Sequence, residues 1–273
     1  MPESAEHIEK WVRRFHPAPD CAARLVCLAH AGGSASFFHP VSKALAPEVE
    51  VLAVQYPGRQ DRRHEPAVDN IADLADHIFD ALRDLDDRPL ALFGHSMGAV
   101  LGYEVALRRQ HAGLPSPAHL FVSGRRAPSR YRDERVHHLS DDRIVSELRA
   151  LSGTQPAMLA DPEVLEMILP AIRSDYHAIE TYRHDPDRRL DCPVTVFTGA
   201  SDPRVSIDEA RAWEEHTTGP TDLKVLPGGH FFLVDRSAEV IATVRQHLMD
   251  ATPTGEPRTR RATVTPQPTG TTR

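Results

Sequence analysis

Leu90-Ala91-Leu92-Phe93-Gly94-His95-Ser96-Met97-Gly98-Ala99 decides how this chain folds. A short apolar run ends at Gly94, and a helix-like pattern begins at Met97 and carries Leu101, Val105 and Leu107. Between them stands a G-x-S-x-G motif. A serine on a tight strand-to-helix turn has a strained backbone, and its hydroxyl is pushed clear of the chain. Strand and helix nearly touch at such a turn, so its neighbours must be small, and Gly94, Gly98 and Ala99 are. The helix also aims free N–H groups and its positive dipole end at the place where an oxyanion would form. A glycine-rich loop can carry the same five residues. The strand before and the helix after are what give them weight.

The flanking chain alternates strand and helix. Arg24 to His30 reads as a buried strand running into Ala31-Gly32-Gly33. A Gly-Gly pair there lets backbone N–H groups turn inward. Phe37 to Ala46 reads as a helix, Val49 to Tyr56 as a strand, and Ile71 to Leu85 as a helix leading to the serine turn. Strands follow over 118–124, over 192–199 and at Leu223 to Leu226, with a closing helix from Ala238 to Met249. Such alternation predicts right-handed crossovers and an α/β fold: a mostly parallel central sheet flanked by helices. From Arg125 to Arg189 there are helical stripes and no strand pattern. An insertion after a strand's carboxyl end lies over the ligand edge of the sheet, so 125–189 is a candidate helical lid. Within it, residues 156–160 and Met167 offer adaptable apolar contacts to a chain-like substrate.

Three residues come to that edge. Asp202 follows the end of one strand in a turn closed by Pro203, and His230 follows the last strand in a glycine-rich loop. The order Ser96, Asp202, His230 is that of α/β-hydrolases. In these roles Ser96 attacks an acyl carbonyl, His230 moves the proton and Asp202 fixes the imidazole tautomer. The N–H groups of Ala31 and Met97 form the oxyanion hole. Asp208 reads as a helix cap and Asp191 lies at the opposite edge. His95 reads as a packed histidine facing away from the base, and His30 as structural. Arg59, Arg62 and Arg63 read either as a solvated loop or as a cationic rim for an anionic group.

Composition narrows the partners. The 273 residues carry a formal net charge of −7, which argues against nucleic acid. No apolar window is long enough to span a membrane, and the acidic N-terminus lacks a secretory h-region. The 3 cysteines form no C-x-x-C pair and suit a reducing cytoplasm. Residues 1–251 are expected to form one domain, with 252–273 a disordered tail of Pro, Thr, Gly and Arg. Ile8, Trp11, Val12 and Phe15 suggest a leading helix packed on the body.

Taken together, the chain resembles the stand-alone type II thioesterases of polyketide and nonribosomal peptide synthases. The resemblance rests on His30-Ala31-Gly32-Gly33, Gln55-Tyr56-Pro57-Gly58-Arg59, Gly94 to Ala99, Arg173-Ser174-Asp175-Tyr176, Gly199 to Pro203 and Gly228 to Phe232. It implies an α/β-hydrolase fold with a helical lid and no cofactor or metal. It further implies hydrolysis of acyl or aminoacyl thioesters from the phosphopantetheine arm of an acyl or peptidyl carrier protein, clearing stalled or aberrant chains. The residues alone reach only a serine hydrolase acting on an acyl group. A general carboxylesterase or lipase, a chain-releasing thioesterase and a non-catalytic binding protein remain alternatives. The start at Met1 without a preceding carrier domain favours a free-standing enzyme over a chain-releasing one.

Overall fold

A computed structural model of the chain describes residues 2–151 and 158–251. It opens with helix α1 (Pro2–Trp11) and a two-residue strand β1 (Val12–Arg13). The core alternation is β2 (Ala23–Leu28), α2 (His39–Leu45), β3 (Val49–Val54), α3 (Ile71–Leu82), β4 (Leu90–His95), α4 (Met97–His111) and β5 (Leu120–Ser123). Then come α5 (Asp141–Leu151) and α6 (Pro162–Thr181). The sheet resumes with β6 (Val194–Gly199), followed by α7 (Ile207–Arg211), β7 (Thr221–Leu226), α8 (Phe232–Asp235) and α9 (Ser237–Asp250).

The strands form one seven-stranded sheet in the order β1-β3-β2-β4-β5-β6-β7. Only β1 runs antiparallel, against β3. Strands β2 to β6 are buried along nearly their whole length, as expected of parallel strands covered on both faces. The chain leaves β2 toward β3 on one side and then returns to β4 on the other. The loops after β2 and β4 therefore diverge, opening a crevice at the carboxyl edge. Register sets Leu28 beside Gly94, His95 beside Ser123, and Ser123 beside Phe197. The loops bearing Ala31, Ser96, Gly124 and Asp202 thus start nearly level.

The predicted alternation is present, with strand and helix ends shifted by one to three residues. The first strand stops at Leu28, not His30, because the chain turns at once: the Gly33 N–H donates to the His30 carbonyl at 2.8 Å. The leading helix ends at Trp11, and Val12 joins the sheet instead of continuing the helical stripe. Helix α3 begins at an Asn70 cap whose side chain accepts from the Ala72 and Asp73 N–H groups. At α7 the cap is Ser206, in a capping box with Glu209, and Asp208 is an exposed first-turn residue paired with Arg211. All three cysteines are buried free thiols.

The insertion carries no strand among its described residues. Its outer part has a core of its own, made by Val136, Ile144, Val145, Leu148, Leu159, Leu169 and Ile172. The last turns of α6 join the main core through Ala178 and Ile179. Leu159 is buried in the small core, whereas Met167 is 54% exposed and does not reach the cavity below. Residues 152–157 lie outside the described residues, as does the tail 252–273. No helix among the described residues is long and apolar enough to cross a membrane.

Candidate active site

The serine turn has the expected strain. Ser96 sits at φ 54° and ψ −115°, a region that side chains other than glycine rarely enter. Its N–H donates to the Ser123 carbonyl at 2.8 Å, fixing the turn to the neighbouring strand. The close approach of strand and helix is literal. A Cβ at Gly94 would lie 2.0 Å from the Gly98 carbonyl oxygen, and one at Gly98 would lie 2.0 Å from that of Leu28. No residue larger than glycine fits at either position without moving backbone. Helix α4 starts immediately after the serine, so the Met97 N–H is one of its free first-turn donors.

Asp202 and His230 come together from separate loops. His230 Nδ1 lies 2.9 Å from Asp202 Oδ2 and 3.1 Å from Oδ1. Asp202 Oδ1 also accepts from the Arg204 N–H at 2.8 Å, which holds the carboxylate in place. Both side chains are buried. With Nδ1 engaged, the imidazole offers Nε2 for other chemistry. Ser96, His230, Ala31 and Met97 all line one cavity at the sheet edge, beneath α6. Ser96 is half-buried there, open to whatever enters. The rival acid Asp191 is exposed, away from this group.

His95 packs against His230, and His30 packs in turn against His95 and Phe231. The rings of His95 and His230 are 5.1 Å apart, so His95 stands beside the candidate base rather than facing away from it. His95 Nδ1 pairs with Ser123 Oγ at 3.0 Å. Burial, then the charges of His230 and His30, keep its pKa well below the ordinary value. Burial also pushes His30 down to about 3, helped by the charges of His230 and Arg59. Both rings are therefore neutral near pH 7.

The loop after β2 is anchored from every side. Tyr56 Oη donates to the Ala29 carbonyl at 3.1 Å, and Gln55 Oε1 accepts from the Ala35 N–H at 2.9 Å. Arg59 is neither solvated nor a rim. It is buried and pairs with both oxygens of Asp175 on α6, at 2.7 and 2.8 Å. Arg62 is buried too, against Glu65 and the Trp11 ring, whereas Arg63 is exposed. A guanidinium within reach of a carboxylate or an aromatic face is held inside rather than released to water. Sequence reasoning also missed a charged wall. Arg125, Arg126, Glu134, Glu180 and Arg204 share the cavity with Ser96. Glu134 pairs with Arg126 and Arg204, and burial lowers the Arg125 pKa to about 9. The only available signal was the Arg125-Arg126 pair directly after a strand end.

A family model, the thioesterase domain, matches residues 23–248. The chain belongs to the thioesterase-domain family. This thioesterase is 53% identical over 239 residues to a probable cadicidin biosynthesis thioesterase of Streptomyces griseus, covering 88% of this chain and 66% of that protein. It is 48% identical over 242 residues to thioesterase PikA5 of Streptomyces venezuelae, covering 88% of this chain and 85% of the relative. Among solved structures, the type II thioesterase BorB of the borrelidin biosynthetic cluster superposes with a TM-score of 0.82 at 51% identity. That match covers 87% of this chain and 97% of BorB. The fold is thus the α/β-hydrolase fold that the resemblance implied.

Proposed function

We propose that this thioesterase hydrolyses acyl thioesters carried on the phosphopantetheine arm of carrier proteins, and that it serves a polyketide or nonribosomal peptide synthase by removing stalled or aberrant chains. The observation that carries the reading is the buried Asp202–His230 pair, whose histidine lines one cavity with the strained Ser96. Ser96 Oγ attacks the thioester carbonyl while His230 Nε2 takes its proton. The Ala31 and Met97 N–H groups receive the oxyanion, and His230 returns the proton to the leaving thiolate. Water then repeats the cycle on the acyl-serine and releases the free acid. Asp202 holds the imidazole tautomer and stabilises its charged form. Every proton and acyl transfer in this scheme is met by those side chains and the backbone, so the reading calls on no metal or cofactor.

A relative named for cadicidin biosynthesis, together with a type II neighbour from the borrelidin biosynthetic cluster, supports the carrier-bound substrate. The partner in this reading is an acyl or peptidyl carrier protein, met in the cytoplasm. Residues 1–251 act as one unit, with 125–189 as its cover.

A competition tests the proposal. One acyl group is offered on a phosphopantetheinylated carrier protein and as a simple oxygen ester, with Ser96→Ala as the blank. Faster release from the carrier supports the proposal. Faster ester cleavage with the carrier left loaded makes the protein a general esterase.

A further inference from the structure

The loop that carries Ala31 is a tight turn. The Gly33 N–H donates to the His30 carbonyl at 2.8 Å, and Gly32 stands at φ +76°. These are the hydrogen bond and the positive third-residue φ of a type II turn. A type I turn keeps the same outer residues but has its central peptide flipped. Here the central peptide joins Ala31 to Gly32. Two adjacent glycines leave that flip cheap, so something outside the turn must choose between the forms.

Asp175 makes the choice. Its Oδ2 accepts from the Gly32 N–H at 2.7 Å, 143 residues away in sequence. In the flipped form the Ala31 carbonyl would face that carboxylate instead, and two oxygens would repel. The same carboxylate takes two hydrogen bonds from Arg59, and Arg59 Nη1 also donates to the Gly33 carbonyl at 3.1 Å. Asp175 is fully buried, so its charge acts at close range on these partners. Asp175 sits on α6, whose Ile172 would meet a Cβ on Gly32 at 2.7 Å. Helix, guanidinium and turn are locked as one piece.

We propose that Asp175, fixed by Arg59, is a positioning residue for the oxyanion hole. It clamps the turn through the Gly32 N–H and, by way of Arg59, the Gly33 carbonyl, so that the Ala31 residue at the head of the turn keeps its place at the cavity and its placing is tied to the seating of α6. The inference rests on the reading of Ala31 and Ser96 given above. It accounts for two stretches that the triad leaves unused, Gln55 to Arg59 and Arg173 to Tyr176: each supplies a side chain that grips the 29–35 loop.

The test is kcat and KM of the full chain on a butanoyl thioester of N-acetylcysteamine. Asp175→Ala is expected to lose kcat by about a hundredfold, the scale of one lost oxyanion donor, with KM within about threefold of wild type. Asp175→Asn keeps an acceptor for the Gly32 N–H and is expected within about tenfold of wild-type kcat. Asp175→Ala leaves Arg59 buried without its partner and can fail to fold. The double variant Arg59→Met/Asp175→Leu leaves no charge stranded, and its kcat is expected to fall as far as that of Asp175→Ala. A folded double variant with wild-type kcat overturns the proposal, as does a loss confined to KM or an equal loss in the Asn and Ala variants. Ser96→Ala separates the two readings. If it retains activity, the nucleophile assignment falls and the oxyanion role with it; if it is inactive while the Asp175 variants are not, only the positioning role falls.

Discussion

His230 Nδ1 lies 2.9 Å from Asp202 Oδ2, and the carboxylate that meets it is fully shielded from solvent. Such a contact fixes which imidazole nitrogen carries the proton. Asp202→Asn keeps the shape and presents the wrong hydrogen-bonding pattern. We expect kcat on an acyl thioester to fall on the order of a thousandfold or more. Thermal melting should stay close to wild type. Steady-state kinetics beside a melt checks both, and a kcat within tenfold of wild type would remove Asp202 from the mechanism.

Gly98 faces the Leu28 carbonyl at a distance that leaves no room for a methyl group. Gly98→Ala must push β2 and α4 apart or distort the serine turn. We expect it to cost about 3 kcal/mol or more by urea unfolding, at the upper end for overpacking because the obstacle is backbone. A stable, active Gly98→Ala protein would contradict the packing described for the turn.

The cover over the site has two halves of different standing. Helix α5 buries its apolar face in the small outer core and meets the body through the part-exposed Glu147–Arg204 pair, whereas α6 is tied to the main core and to the loop after β2. Local opening follows the density of buried contacts. Amide hydrogen exchange should show α5 exchanging faster than the 171–181 part of α6. Equal protection would mean that the insertion moves as one piece or not at all.

Buried neutral histidines make the fold sensitive to acid. His30 is held at about 3 by burial and by the charges of His230 and Arg59. His119 and His216 are held at about 4, chiefly by burial. In the unfolded chain the same rings protonate near 6.5. Between 6.5 and those lower values the unfolded state binds more protons than the folded one, so stability falls as pH falls. Each ring contributes up to about 1.4 kcal/mol per pH unit inside its window. The urea midpoint should change little from pH 8 to 7 and drop clearly by pH 5. A flat midpoint from pH 7 to 5 would contradict the assignment.

The serine turn was legible because its demands are local. The change from strand to helix period, two obligatory glycines and a small third residue all lie within ten positions. Asp202 and His230 were legible because each follows a strand end, and strand ends of a parallel sheet share one edge. Arg59 was not legible. Its partner lies 116 residues away on an inserted helix, and a charged run in a loop reads as solvated until that helix is placed. Met167 misled for a related reason. Helical spacing gives a face to each residue, but only the packing of α6 shows which face meets the cavity. The charged wall around Ser96 needs five side chains from four separate segments, which no local pattern announces.

The most direct test of the central claim is covalent. The protein is labelled with a serine-directed fluorophosphonate and digested, and the adduct is mapped by mass spectrometry while hydrolysis of carrier-bound acyl groups is followed. One adduct is expected, on Ser96, with thioesterase activity lost in proportion to the labelled fraction and no labelling of Ser96→Ala. An adduct elsewhere, or fully labelled protein that still clears the carrier, would contradict it.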